Sequence, residues 1–186
     1  MIGRRNKGKL KQNNAGMSFI ELIVVIGIIA VMAGMLAYGV SLLVNADSKK
    51  ASKNLYQEIS NLRNETLAQT GTWYGEITRA SSKGQYYFTV YRDDSSGVIK
   101  QIDRQALGSR ITITARGAAE TLITDTTSVK IYFNPGTGTV KSINHGTSGA
   151  DLRDTTNKFY FDVASNSGES YELTLWINTG KISADY

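Results

Sequence analysis

The sequence predicts an α+β protein in which one long N-terminal helix packs on an antiparallel β-sheet. Two observations lead to this class. An uncharged stretch from Leu22 to Val44 is followed by an amphipathic stretch with no glycine or proline before Gly71. Beyond Gly71, short runs of aromatic and β-branched residues alternate with turn clusters, which is typical of antiparallel strands.

The chain of 186 residues has room for one modest domain and an extension. Its uncharged stretch contains 23 residues. As a helix this stretch would extend about 35 Å, enough to cross a bilayer core of roughly 30 Å. We predict four segments: a basic leader at 1–16, a transmembrane or assembly helix at 17–44, an amphipathic half of the same helix at 45–70, and a β-rich extracytoplasmic domain at 71–186.

The amphipathic half of the helix has one apolar face. Leu55, Ile59 and Leu62 follow the i, i+4, i+7 spacing of a helix face, and Thr66 continues the row. We therefore expect one helix from about Met17 to Thr70, with this face covered by the domain that follows.

The C-terminal domain is expected to form strands with one buried side. In the segment YELTLWI, for example, Tyr171, Leu173, Leu175 and Ile177 alternate with other residues and share a face. The predicted strands are 86–92, 98–103, 110–115, 129–133, 139–143, 158–163 and 171–177. Two segments, 132–138 and 176–180, share the order of strand, asparagine, small residues and glycine, and we interpret them as two similar hairpin turns.

Positive charge is concentrated at the N-terminus. Lys and Arg total 21 against 16 Asp and Glu, and five of the basic residues precede Gly16, so the remainder is neutral. The basic pI therefore gives no support for a nucleic-acid surface. Five basic residues before the apolar stretch, against Lys49, Lys50 and Lys53 after it, favour a cytoplasmic N-terminus. The absence of cysteine excludes disulfides and thiolate metal sites.

One acidic residue, Glu21, lies at the start of the apolar stretch. A carboxylate inside a bilayer costs on the order of 3 kcal/mol, so such groups are usually paired and functional. The alternative is that Glu21 lies at the level of the lipid headgroups.

The segment GMSFIEL, from Gly16 to Leu22, resembles the class III signal of type IV pilins and type II secretion pseudopilins. The resemblance implies cleavage after Gly16 by a prepilin peptidase and N-methylation of Met17. Glu21 would then be the fifth mature residue. Tyr38 stands where major pilins often have proline, and the Gly-Lys-Ile step from Gly180 to Ile182 is similar to minor pseudopilins.

Cleavage before an apolar stretch leaves the helix attached to the protein. The ammonium group exposed at Met17 would then neutralise Glu21 of a neighbouring subunit and fix the axial register of the fibre. Without cleavage, the five positive charges of the leader would have to enter the fibre core.

Small residues on the apolar helix predict close helix packing. Gly27, Ala30, Gly34 and Ala37 form one stripe, which lets neighbouring helices approach closely. Ordinary membrane-helix composition explains the same stripe.

The resemblance implies a structural subunit of a pilus or pseudopilus, with roles in adhesion or protein secretion. Its expected partners are the prepilin peptidase, copies of itself or other pilins in a helical fibre, the assembly platform with its ATPase, and the lipid bilayer before assembly. Nucleic acid is not an expected partner. The subunit is expected in the cytoplasmic membrane, single-pass with its N-terminus inside, and later at the cell surface in a pilus or pseudopilus.

Two alternative interpretations assign a different role to the apolar stretch. A secretory signal cut after Ala46 would have an apolar region longer than the usual 7–15 residues, and Glu21 is out of place in it. A membrane-anchored extracytoplasmic binding protein or adhesin that never polymerises is the second alternative.

The sequence offers no catalytic, metal or cofactor site, and we expect no enzyme activity. The cluster Asp93–Gly97 lacks the EF-hand pattern and is interpreted as a hairpin turn. His145 has no second histidine to join it in a metal site. The aromatic residues Tyr86, Tyr87, Phe88 and Tyr91 are interpreted as core residues or cross-strand pairs rather than a nucleic-acid platform.

Overall fold

The computed structural model describes residues 18–94, 98–166 and 168–185, and at residues 37, 38 and 40–45 it describes the backbone alone. The chain divides into two compact units, with the boundary between Gly39 and Val40. A single helix, α1 (Phe19–Ala68), contributes to both units, in agreement with the helix predicted from the sequence.

The N-terminal unit contains the apolar part of α1. Phe19–Leu36 is long and apolar enough to cross a membrane, and none of its side chains is buried within the chain. Apolar side chains exposed on all sides of a helix require lipid or other helices around them.

Among its described residues, the second unit contains ten strands in two five-stranded antiparallel sheets. The first sheet has the order β3-β2-β1-β6-β7, and the second has the order β10-β9-β8-β4-β5. The strands are β1 (Thr72–Ala80), β2 (Gln85–Asp93), β3 (Ile99–Gly108), β4 (Ile111–Arg116), β5 (Glu120–Leu122), β6 (Val129–Phe133), β7 (Val140–His145), β8 (Lys158–Ser165), β9 (Ser170–Trp176) and β10 (Ile182–Ala184).

The α+β class with antiparallel strands is confirmed, but the strands form two sheets where the sequence suggested one. Ten strands at about 4.8 Å each would make a sheet roughly 48 Å wide. One helix is only about 10–12 Å in diameter and cannot cover such a sheet. Two smaller sheets can bury their apolar faces because they share one core with the helix.

The predicted helix face lies in this shared core. Leu55, Ile59 and Leu62 are fully buried, and Thr66 is buried with its hydroxyl donating to the Leu62 carbonyl oxygen at 2.8 Å. One cluster of buried side chains joins this face to both sheets, and Ile131 and Phe161 are examples from each.

Strand β1 was not predicted from the sequence, although it lies at the centre of the first sheet. Its segment TWYGEITRA contains Gly75, and glycine weakens the interior of a strand. A Cβ at Gly75 would lie 2.2 Å from the Phe88 ring and 2.9 Å from Leu62. The absence of a side chain at Gly75 leaves space for the side chains of Phe88 and Leu62, but the glycine also weakens the sequence pattern of a strand.

The two similar hairpin turns are present and they contact each other. They connect β6 to β7 and β9 to β10, and the Val140 amide donates to the Ile177 carbonyl oxygen at 2.9 Å. Arg63 of α1 joins both turns, since its Nε donates to the Gly138 carbonyl oxygen at 3.0 Å and its Nη2 to the Thr179 carbonyl oxygen at 3.2 Å. The helix thereby holds the two sheets together at this point.

An ion pair beside β7 predicts acid sensitivity. Hydrogen bonds from Arg153 lower the pKa of Asp151, whose carboxylate lies 2.6 Å from the guanidinium. A carboxyl whose pKa is lower in the folded state stabilises the fold above its unfolded pKa of about 3.9, and this stabilisation is lost as the pH falls through the folded value. Because the pair is partly exposed, we expect a contribution below about 1 kcal/mol.

The measurement is urea unfolding of the full chain in non-ionic detergent between about pH 2 and 7. Asp151→Asn should lower stability near neutral pH and flatten the loss of stability below about pH 4. The matched control is Asp125→Asn, at an exposed aspartate with no ion pair in the described part of the chain. Identical pH profiles for Asp151→Asn and the unchanged chain would refute the assignment.

Candidate functional site: the N-terminus of the apolar helix

The first turn of α1 is closed by a reciprocal pair of hydrogen bonds. The Glu21 amide donates to Ser18 Oγ at 3.3 Å, and the Ser18 amide donates to Glu21 Oε2 at 3.4 Å. This arrangement is a capping box, which satisfies two amides that a helix otherwise leaves without partners. The Glu21 carboxylate also lies at the positive end of the helix dipole, where negative charge is favourable.

The role of Glu21 as a cap was not predicted from the sequence, where Glu21 was assigned only to a pair with the amine of a neighbouring subunit or to the headgroup level. The signal was available, because Ser-x-x-Glu directly before an apolar stretch is the capping-box pattern. Ser18 is therefore a further residue of the site. Glu21 accordingly has a structural reason to be at this position in addition to any role in assembly.

The cap leaves Glu21 able to accept further hydrogen bonds. The carboxylate is exposed, and within the described residues only Oε2 accepts a hydrogen bond, over a long distance of 3.4 Å. An ionised carboxylate has about four lone-pair sites. An ammonium group from outside the chain can therefore bind Glu21 without displacing the cap.

Gly16 and Met17, the predicted cleavage and methylation positions, lie outside the residues that the structure describes. The placement of the Met17 amine relative to Glu21 therefore stays a prediction.

The predicted packing stripe is open to a neighbouring helix. A Cβ added at Gly27 or Gly34 would meet no atom within 4 Å, and Ala30 is exposed. The side chain of Ala37 lies outside the described residues. Small side chains with open space around them allow two helix backbones to approach closely.

The sequence offered two further segments for inspection, the turn at His145 and the cluster Asp93–Gly97. His145 Nδ1 accepts the amides of Thr147 and Ser148, both at 3.3 Å, and so stabilises its own turn. In the cluster Asp93–Gly97, residues 95–97 lie outside the described residues. Within the described ranges, no three His, Cys, Asp or Glu side chains come together as metal ligands.

The aromatic run on β2 is divided between the two faces of its sheet. Tyr86 and Phe88 are buried, and the Tyr86 hydroxyl donates to the Ile123 carbonyl oxygen at 2.9 Å. Tyr91 stacks on Tyr74 of β1 with ring centroids 5.0 Å apart. These residues are core residues and cross-strand pairs, in agreement with the prediction from the sequence.

Comparison with known proteins gives one match. Residues 11–37 match the family model of the prokaryotic N-terminal methylation motif. This motif is the class III signal of type IV pilins and pseudopilins, so the resemblance of the N-terminal segment is confirmed. The match ends before the β-rich domain. Neither the comparison with curated proteins nor that with solved structures gave a match.

Proposed function

We propose that this chain is a structural subunit of a type IV pilus or of a type II secretion-like pseudopilus. In this proposal it is cleaved after Gly16, N-methylated at Met17 and assembled through its N-terminal helix. The observation that carries the proposal is the coincidence of three features at one point: the methylation motif at 11–37, the start of α1 at Phe19 and a capped carboxylate at Glu21.

The motif marks the chain as a type IV pilin-like prepilin, and it implies a prepilin peptidase and other pilins as partners. The apolar helix fits an anchor in the inner membrane with later assembly at the surface. We further propose a cytoplasmic N-terminus before assembly and action of an assembly platform with its ATPase. The proposed role is structural, without catalysis by the chain itself.

Assembly is proposed to depend on an ion pair between subunits. After cleavage, the methylated amine of Met17 binds Glu21 of a neighbour in a core of packed apolar helices. Two opposite charges about 4 Å apart interact by about 4 kcal/mol at an effective dielectric constant near 20. An unpaired carboxylate in the same place would be costly, so the pair favours one axial register.

The direct test is the N-terminus of the mature protein. Mass spectrometry of the chain from membranes and from sheared surface fibres is expected to find methyl-Met17 followed by Ser18. Cells without the prepilin peptidase provide the control and should contain only the uncut chain.

Each other N-terminus would contradict the proposal in its own way. A chain that retains the leader in peptidase-positive cells would indicate a membrane-anchored binding protein or adhesin. A chain that begins at Asp47 would indicate a cleaved secretory signal. The location of the processed chain separates the two kinds of fibre. If chains that begin at Met17 are absent from surface fibres, the pilus is contradicted and the pseudopilus is retained. Pseudopilus fibres are then looked for after overexpression of the chain.

A further inference from the structure

The first sheet ends in a long strand with an open edge. β3 has ten residues, and Ile99–Ala106 are all exposed. Its outer side pairs with no strand in the described ranges. The unpaired amides and carbonyls of such an edge are a ready template for another strand. At the opposite edge, Asn144 of β7 is bridged by Asp151, and the edge strands of the second sheet, β5 and β10, have three residues each.

β3 also exposes apolar side chains that edge strands usually avoid. Ile99 and Ile102 of β3, and Val98 directly before the strand, are each more than half exposed. Ile102 is the extra residue of a β-bulge, because Asp103 pairs with Val90 and Gln101 pairs with Tyr91. The bulge directs Ile102 to the cleft that lies between β3 and the helix.

This cleft has the size and lining of a binding site. It has a volume of about 520 Å³ and lies between the second half of α1 and strands β1, β2 and β3. Leu62, Trp73 and Val90 give it apolar walls, and Ile102 contributes from the edge strand. Apolar clefts of a few hundred Å³ with a few polar groups are the usual form of a binding site.

The polar groups of the cleft carry excess negative charge. Glu58, Glu65 and Asp103 line it together with one cation, Arg92. No ion pair of these three carboxylates is found among the described residues. The guanidinium of Arg92 lies 5.4 Å from the centre of the Trp73 ring, where it forms a cation–π contact.

The cations of β3 itself are directed elsewhere. Lys100 binds Asp94 at 3.0 Å, and the guanidinium of Arg104 lies 3.9 Å from the centre of the Tyr87 ring. Burial and the nearby charge of Asp103 raise the pKa of Glu58, which indicates that these carboxylates are close enough to repel each other. A cation from outside the chain would relieve this repulsion.

We propose that β3 and the cleft beside it form a docking site for an extended segment of a partner protein in which lysine or arginine alternates with apolar residues. A segment that adds to the edge of β3 binds through its backbone, and every second side chain then points to one face. That face presents ammonium or guanidinium groups to Glu58 and Asp103. The apolar residues of the segment then lie on the opposite face of the sheet, which is the face of Ile99 and Tyr91. This site is separate from the apolar helix and does not depend on the proposed pilin function.

The test uses the full chain in a non-ionic detergent and a fluorescent, acetylated and amidated peptide of alternating valine and lysine. Fluorescence anisotropy should show saturable binding that weakens as salt is added. The same peptide with glutamate in place of lysine should not bind. A lysine peptide in which every second amide is N-methylated retains its charge but cannot pair with a strand. Its affinity should be lower by about tenfold or more.

Variants of the chain locate the binding. Glu58→Gln combined with Asp103→Asn should weaken binding about tenfold, since two charged partners are lost. Ile102→Lys should abolish it by placing a like charge and a long side chain in the cleft. Leu122→Lys is the matched control, at a similarly exposed apolar residue on an edge strand of the other sheet, and should bind normally.

Three results with the unchanged chain would overturn the proposal: no saturable binding of the lysine peptide, equal binding of the acidic peptide, or equal binding of the N-methylated peptide. The peptide comparisons use the unchanged chain, so they decide the question even if a variant fails to fold. Normal binding by Ile102→Lys would place the peptide elsewhere and equally overturn the assignment.

Discussion

Glu21→Gln and Glu21→Ala are expected to be cleaved after Gly16 as usual but to be lost from fibres. The physical reason is charge, because either change removes the carboxylate proposed to bind the Met17 amine of a neighbour. An interaction of about 4 kcal/mol per subunit is worth almost a thousandfold in an equilibrium constant, and it recurs at every subunit. The measurement is the amount of processed chain in sheared fibres relative to the membrane fraction.

The capping box makes this experiment sharper than a single substitution. Glu21→Gln removes the charge but retains a side chain that can complete a capping box, whereas Glu21→Ala removes both. Ser18→Ala removes the serine cap at a cost of about 1 kcal/mol and retains the charge. We therefore expect Ser18→Ala to enter fibres and both Glu21 variants to fail.

The opposite pattern would identify the cap as the essential feature. If Glu21→Gln enters fibres and Ser18→Ala does not, the helix start matters and the ion pair does not. Loss of cleavage in a Glu21 variant would show instead that the prepilin peptidase recognises the carboxylate, and the fibre measurement would then be repeated with chains that are already processed.

Gly180→Ala is expected to lower the free energy of unfolding by about 2–5 kcal/mol, the largest effect on stability that we predict. Gly180 has φ +63°, a conformation that costs a residue with a side chain about 1–2 kcal/mol. Its added Cβ would also lie 1.7 Å from the Gly138 carbonyl oxygen and 2.9 Å from Arg63 Nε. Because one of these atoms is backbone, the two turns would have to separate and the bonds of Arg63 would be strained.

Substitutions at two other glycines separate the backbone cost of Gly180→Ala from the cost of the close contacts. Gly149→Ala introduces a side chain at φ +69° with nothing within 4 Å, so it measures the backbone cost alone, about 1–2 kcal/mol. Gly136→Ala has open space and no positive φ, and should be nearly neutral. The measurement is urea unfolding of the full chain in non-ionic detergent, followed by the fluorescence of buried Trp73 and partly buried Trp176.

The comparison between Gly180→Ala and Gly149→Ala decides whether contact between the turns matters. Equal losses of stability would mean that the turns can separate without cost and that Arg63 does not hold the sheets together. A larger loss at Gly180 would support the junction described above.

Features encoded by neighbouring residues were predictable. The apolar stretch, the spacing of Leu55, Ile59 and Leu62, and the alternation in YELTLWI each follow from the period of one helix or strand. The segment from Gly16 to Leu22 resembles the class III signal of pilins by itself, and the family match confirmed this resemblance. The capping box is equally local, because Ser18 and Glu21 are only three residues apart.

Features that depend on distant residues were not predictable in the same way. Strand β1 contains strand-forming residues such as Trp73, Tyr74 and Ile77, but Gly75 interrupts them. This glycine is explained only by Phe88 and Leu62, distant residues that fill the space a side chain would need. The junction of the two sheets joins Arg63 to carbonyls 75 and 116 residues further along the chain. The cleft beside β3 is lined by Glu58 of α1, Trp73 of β1 and Ile102 of β3, which are far apart in the sequence.

The sequence by itself therefore determined the N-terminal signal, the long helix with its two kinds of surface, and the α+β class, because periodicity and short spacings act within a few residues. Only the tertiary structure decided that the strands form two sheets, that two similar turns meet at Arg63, and that acidic residues from α1 and β3 face one cleft. The reason is physical: these features are set by volume, backbone pairing and charge shared between segments that the chain brings together only on folding.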